Sequence, residues 1–155
     1  MYRRRGPSLG DRDQRDDSLT RHSFTYDAYD VPSLEATIQA RGGPQVDLTG
    51  TVDSGASSTV LSRGDAEELG LGAADLREAG PVVVADGSEV RCWTSAPPIR
   101  EQVLRTTSTG VVRPWGPVFD LDAIFLEHAS PLWGQSDFFD TFGIDFQRPM
   151  FTLRY

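Results

Sequence analysis

Val52-Asp53-Ser54-Gly55-Ala56-Ser57-Ser58-Thr59-Val60-Leu61 is the stretch that decides how the rest of the chain is read. Ahead of it, Val46, Leu48 and Val52 alternate with polar residues as a half-buried strand does, and apolar β-branched character resumes at Thr59-Val60-Leu61. Between the two runs stand an acid and three small residues. Asp and Ser side chains hold turns by bonding their own backbone, and Gly accepts dihedrals that other residues resist. A bare Asp-Ser-Gly on its own reads as a surface β-turn. The apolar runs on both sides argue for a loop tucked against a core, where a carboxylate is partly desolvated.

A second informative stretch lies near the C-terminus: Pro131-Leu132-Trp133-Gly134-Gln135-Ser136-Asp137-Phe138-Phe139-Asp140-Thr141-Phe142-Gly143-Ile144-Asp145-Phe146. It has an apolar pair before a Gly, then bulky apolar residues at helix-like spacing, then a closing strand. In this order and at this separation, the two stretches resemble the two signatures of the retropepsin-like aspartic proteases. The first of these is Asp-Thr/Ser-Gly-Ala/Ser between apolar strands. The resemblance covers Val31 to Tyr155. It implies an all-β fold with one or two short helices, a closed β-barrel subunit, and a two-fold homodimer. Trp133 stands where that family most often has Leu or Ile, so the packing under the loop is expected to differ.

The chain has 155 residues, enough for one domain with a core of its own. Residues 1–23 are dense in Arg and Asp and read as a disordered charged leader. Residues 24–155 carry the alternating patterns of the domain. The leader has no apolar run of the kind a secretion signal needs, and no stretch of the chain is long and apolar enough to span a membrane. A formal charge of −8 argues against a nucleic-acid partner, because phosphate backbones call for a basic face. Cys92 is the single cysteine, which excludes an internal disulfide and a Cys-rich zinc site and is compatible with the cytoplasm.

Within the domain, Val31, Leu34, Ala36 and Ile38 fit a first strand. Arg41-Gly42-Gly43-Pro44 fits a hairpin turn, and Val46 to Val52 fits the partner strand that delivers Asp53. Ser62 is placed to cap a short helix over Asp65 to Leu69, ended by Gly70. Pro81 to Trp93 reads as a hairpin turning at Asp86-Gly87. By itself it is as readily a plain structural hairpin as a functional one. The resemblance makes it the flap that closes over bound peptide, with Ala85, Asp86, Gly87 and Ser88 at the tip, a tip poorer in Gly than retroviral flaps. Ile99 to Leu104, Gly110 to Phe119 and Leu121 to Glu127 read as strands interrupted at prolines, and Asp137 to Phe142 as a short helix. Met150 to Tyr155 reads as a terminal strand with an open edge. The resemblance implies that this edge pairs with the same strand of a second subunit.

The chemistry follows from the same resemblance. Peptide hydrolysis of this kind uses two neighbouring carboxylates that share one proton. Only one Asp-Ser/Thr-Gly occurs in the chain, so the dyad requires Asp53 from each of two subunits. Ser54 is expected to brace the dyad, Gly55 and Ala56 to present backbone to substrate, and Leu132 and Gly134 to pack beneath the loop. No cofactor and no metal are expected. Ala56, Val84 and Ile124 are apolar candidates for the cleft wall. The expected activity is that of an aspartic endopeptidase acting on peptide or protein substrates. Two alternatives are a catalytically silent peptide-binding or dimerisation module of the same fold, and a plain structural adaptor. Nucleophilic serine or cysteine chemistry lacks a base nearby, since the histidines are His22 in the leader and His128 at a strand end. Asp120 and Asp122 come nearest to a metal cluster and are equally an exposed polar face.

Overall fold

In the computed structural model, which describes residues 20–155, the alternation of Leu34, Ala36 and Ile38 becomes strand β2 (Ser33–Ala40), with these side chains buried. β2 turns through Arg41 to Pro44 into β3 (Gln45–Val52), in register from Ser33 opposite Thr51 to Gln39 opposite Gln45. After the Asp53 loop come β4 (Val60–Ser62) and helix α1 (Arg63–Glu68). Ser62 caps the helix as expected. Its hydroxyl accepts from the Asp65 amide at 3.0 Å, while the Asp65 carboxylate accepts from the Ser62 amide at 2.6 Å. Gly70 follows at φ +75°, a conformation that favours glycine.

The next segments are β5 (Leu76–Glu78), β6 (Val82–Val83), β7 (Glu89–Val90), β8 (Cys92–Ser95) and β9 (Ile99–Thr106). β10 (Val112–Pro114), β11 (Phe119–Leu121), β12 (Ile124–Leu126), β13 (Leu132–Trp133), β14 (Gly143–Gln147) and β15 (Met150–Arg154) complete the described strands, with β1 (Arg21–Thr25) at the start. The protein is thus all-β with little helix. Its largest sheet runs β10-β9-β2-β3-β13-β4-β12-β8-β5, with β11 also on β9. The expected barrel closure is not seen in this ladder: among the described residues the path is open, ending at β10 and β5. No helix among the described residues is long and apolar enough to cross a membrane.

The C-terminus departs from expectation. β15 has no free edge: β1 lies antiparallel along one side and β14 along the other, giving a separate three-stranded sheet. β1 begins at Arg21, inside the segment read as leader, while residues 1–19 of that leader lie outside the described residues. His22 therefore belongs to the fold. Its ring meets Phe24 edge-on at 4.7 Å and lies 5.7 Å from the buried Trp115. Burial and the charge of Arg105 hold its imidazole below the ordinary value. Trp115 in turn stacks on Phe142 at 5.9 Å and meets Tyr155 at 5.2 Å. This aromatic seam joins the small sheet to the large one.

The helix expected over Asp137 to Phe142 is also corrected. Ser136 is extended and Asp137 has φ +68°, so the segment is an irregular turn, followed by one helical turn in which the Phe142 amide donates to the Phe138 carbonyl at 2.9 Å. Phe138 and Phe142 are buried from it into the core. The long runs read as strands at 110–119 and 121–127 are cut short. Trp115 to Val118 leaves the sheet, and Asp122 and Ala123 separate β11 from β12.

Trp133 is fully buried, and Gly50 makes room for it. A Cβ on Gly50 would lie 2.6 Å from the indole. The indole N–H donates to the Leu34 carbonyl at 3.2 Å, which ties the larger side chain across β3 to β2. Gly50→Ala should therefore lower the unfolding free energy by about 1–3 kcal/mol through overpacking, read from urea denaturation. A change within about 0.5 kcal/mol, the range of an ordinary surface substitution, would show that the indole has space to spare.

Candidate active site

Asp53 follows the last residue of β3 and is half-buried. Its amide donates to the Trp133 carbonyl at 3.0 Å, continuing the parallel pairing of β13 with β3, and its Oδ1 accepts from the Gly55 amide at 2.8 Å. The chain turns at once, with the Ala56 amide donating to the Asp53 carbonyl at 3.3 Å. Gly55 is not among the glycines at positive φ. Its role here is to offer an amide to the carboxylate, and a Cβ would stand 3.2 Å from Asp53 Oδ1.

The loop is clasped from beneath by the residues after β13. Gln135 donates its amide to the Ala56 carbonyl at 2.8 Å and its side-chain Nε2 to the Ser54 carbonyl at 2.6 Å. Ser136 donates both its amide and its hydroxyl to the Ser57 carbonyl, each at 2.9 Å. The Gly134 amide donates to the hydroxyl of the fully buried Thr59 at 3.3 Å. Gly134 permits this approach: a Cβ there would lie 2.2 Å from the Ser58 carbonyl oxygen. Sequence reasoning singled out Leu132 and Gly134 here and missed Gln135, Ser136 and Thr59. Side-chain amide and hydroxyl donors directly after a glycine were the available signal, but their partners stand about eighty positions earlier in the chain.

Above the loop is a cleft of about 540 Å³. Asp53, Gly55 and Ala56 form its floor, Val60, Ile124, Leu126 and Leu132 contribute apolar walls, and Val82 to Ala85 of the hairpin overhang it. Ala56, Val84 and Ile124, the apolar candidates from sequence, all line it. Ser54 is exposed and lies outside it.

The hairpin tip divides. Ala85 faces the cleft, while Asp86 and Ser88 line an adjoining groove with Val90, Trp93 and His128. Gly87 takes the turn at φ +83°. The Asp86 carboxylate accepts from the Ser88 amide at 2.8 Å, and hydrogen bonds from the Ser88 hydroxyl and amide keep it below its ordinary value. Asp120 and Asp122 line a different depression. Among the described residues no group of His, Cys, Asp and Glu has the geometry to hold a metal ion.

Residues 35–102, which include the loop and the hairpin, match the family model described as aspartyl protease. Among solved structures, a retropepsin-like aspartic protease from Rickettsia conorii superimposes with a TM-score of 0.59 at 18% identity, covering 87% of this chain and 90% of that one. EIAV protease complexed with the inhibitor HBY-793 superimposes with a TM-score of 0.53 at 15% identity, covering 76% of this chain and 93% of that one. No curated protein gives a significant match. The chain has the retropepsin-like aspartic protease fold. The stretch that matches the aspartyl protease model includes the Asp53 loop.

Two substitutions separate the parts of the clasp. Gly134→Ala drives a methyl into backbone that cannot swing aside and should cost about 3 kcal/mol or more. Gln135→Ala removes one side-chain hydrogen bond and should cost about 1 kcal/mol. Both are read from denaturant unfolding, and equal losses would contradict the assignment of the close approach to Gly134.

Proposed function

We propose that the protein is an aspartic endopeptidase whose active site is assembled from two copies of the chain, each contributing one Asp53. The observation that carries this reading is the placement of Asp53. It is half-buried on the floor of an apolar cleft beneath a hairpin, and its carboxylate is oriented by the Gly55 amide. A single chain offers one such acid. Hydrolysis by this route needs two, because a lone carboxylate cannot both accept a proton and donate one in the same step.

In the proposed dimer, the two Asp53 side chains share one proton and hold a water between them. The ionised carboxylate takes a proton from the water as its oxygen attacks the peptide carbonyl carbon, and the protonated partner gives its proton to the carbonyl oxygen. The resulting gem-diol collapses with the C–N bond breaking. One hydroxyl of the gem-diol returns its proton to the second carboxylate as the carbonyl re-forms, and the amine nitrogen takes up the proton held by the first carboxyl. The carboxylic acid and amine leave with the dyad again holding one proton. Ser54, exposed beside Asp53, braces the dyad by meeting its counterpart across the two-fold axis of this dimer. The Gly55 and Ala56 backbone and the Val82 to Ala85 arm of the hairpin hold the extended substrate, with Asp86, Gly87 and Ser88 forming the tip. Since β15 is flanked on both sides, the subunit contact extends from β1 or β14. The unpaired Cys92 suits a reducing, cytoplasmic setting.

A catalytically silent, peptide-binding module of the same fold is the second reading. It is favoured by one feature: Asp86 and Ser88 are bonded to each other and line the adjoining groove, not the Asp53 cleft. The two readings separate in a cleavage assay on an unstructured protein between about pH 4 and 6, where a shared-proton dyad operates, combined with sedimentation. Wild type should dimerise and cut, and Asp53→Asn should dimerise with cleavage reduced by about 10³-fold or more. If both proteins dimerise and neither cuts, the silent module is the correct reading. Equal cleavage by both removes Asp53 from the chemistry.

A further inference from the structure

Glu101 is the most deeply buried acid among the described residues, 1% exposed, and neither carboxyl oxygen has a hydrogen-bond partner. It lies in β9, opposite Ile38 of β2 on one side and Phe119 of β11 on the other. β2 turns the buried Ala36, Ile38 and Ala40 toward the core, and β11 contributes Phe119 and the buried Leu121. Arg105, four residues along β9, makes no bond to it, and its charge acts on His22. The charge that acts on Glu101 is that of Asp137. A carboxylate in such surroundings is far costlier than the neutral acid. Burial first, and the negative Asp137 second, push the Glu101 carboxyl well above its ordinary value.

Asp137 belongs to the turn that clasps the catalytic loop. It sits at φ +68° next to Gln135 and Ser136, and its Oδ2 accepts from the Asp122 amide at 2.5 Å. We propose that Glu101 is a positioning residue that makes this clasp dependent on acid: as a neutral acid it lets Asp137 remain over the core, and as a carboxylate it repels Asp137 and loosens the hold of Gln135 and Ser136 on the Asp53 loop.

The sign of the effect is fixed by linkage. A carboxyl raised in the folded state is protonated there while the unfolded chain has already lost its proton. Stability is therefore full below about pH 4.5, the ordinary glutamate value. It is lost as pH rises from there through the raised folded-state value. His22 works in the opposite sense. Its imidazole is lowered by folding, so its contribution grows as pH rises toward 6.5. A net fall between pH 5 and 8 thus cannot come from the histidine.

The test uses the full chain and needs no substrate, so it stands or falls separately from the protease reading. Thermal unfolding and hydrogen exchange of the Gln135 and Ser136 amides, corrected for intrinsic exchange, are followed from pH 5 to 8. Wild type should lose about tenfold or more in protection at these amides, with a falling Tm. Glu101→Gln keeps the shape without the charge and should hold both constant. Should that variant fail to fold, Asp137→Asn tests the same coupling. With the opposing charge removed, its loss of protection should be smaller and end at lower pH. Protection in wild type that does not change with pH overturns the proposal. So does a Glu101→Gln or Asp137→Asn protein whose loss equals that of wild type.

Discussion

The structure depends on one close approach: the backbone at Gly134 lies against the carbonyl of Ser58, at a distance no Cβ would allow. The Asp53 loop makes few hydrogen bonds within itself. Its order comes from the segment 133–136, whose amides and side chains reach the carbonyls of Ser54, Ala56 and Ser57 and the hydroxyl of Thr59. β13 is only two residues long, yet it pairs with β3 on one side and β4 on the other, so it closes the gap that the loop opens in the sheet. Buried peptide groups need partners, and here each end of the chain supplies the partners that the other lacks.

This arrangement accounts for the position of the acid. A carboxylate at a strand end, with one oxygen held by the next amide but one, has a fixed direction before any substrate arrives. Such preorganisation is what a proton-transfer site requires. The cleft above it has the opposite character, with apolar walls of valine, isoleucine and leucine. Fold similarity to retropepsin-like proteases at 15–18% identity establishes the scaffold. The inference of hydrolysis rests on Asp53 and its surroundings, since a fold by itself does not fix chemistry.

Much of this was legible in the sequence because it is local. The alternation in β2 and β3, the Ser62 cap, the Asp86-Gly87 turn and the Asp-Ser-Gly loop are each set by residues within a few positions of one another. What could not be read depends on contacts across the chain. Gly50 and Trp133 compensate each other's size from opposite ends of the sequence. β1 was hidden in a charged segment because its pairing partner is β15, and that pairing removed the free edge expected of the terminal strand. Glu101, with Arg100 before it and Gln102 after, looks like an exposed strand position. It shares the core face of β9 with Ile99 and Val103, and β2 and β11 flank it on either side. Asp137 broke the helix suggested by phenylalanine spacing because spacing carries no information about φ.

The central claim, that one active site takes an Asp53 from each of two chains, is tested most directly by subunit mixing. Wild-type and Asp53→Asn chains are unfolded together, refolded as equal mixtures, and assayed at fixed total protein. Random pairing into two-fold dimers leaves about a quarter of the wild-type activity, because only dimers with both acids cut. Retention of about half, the value for chains that act independently, would contradict the account.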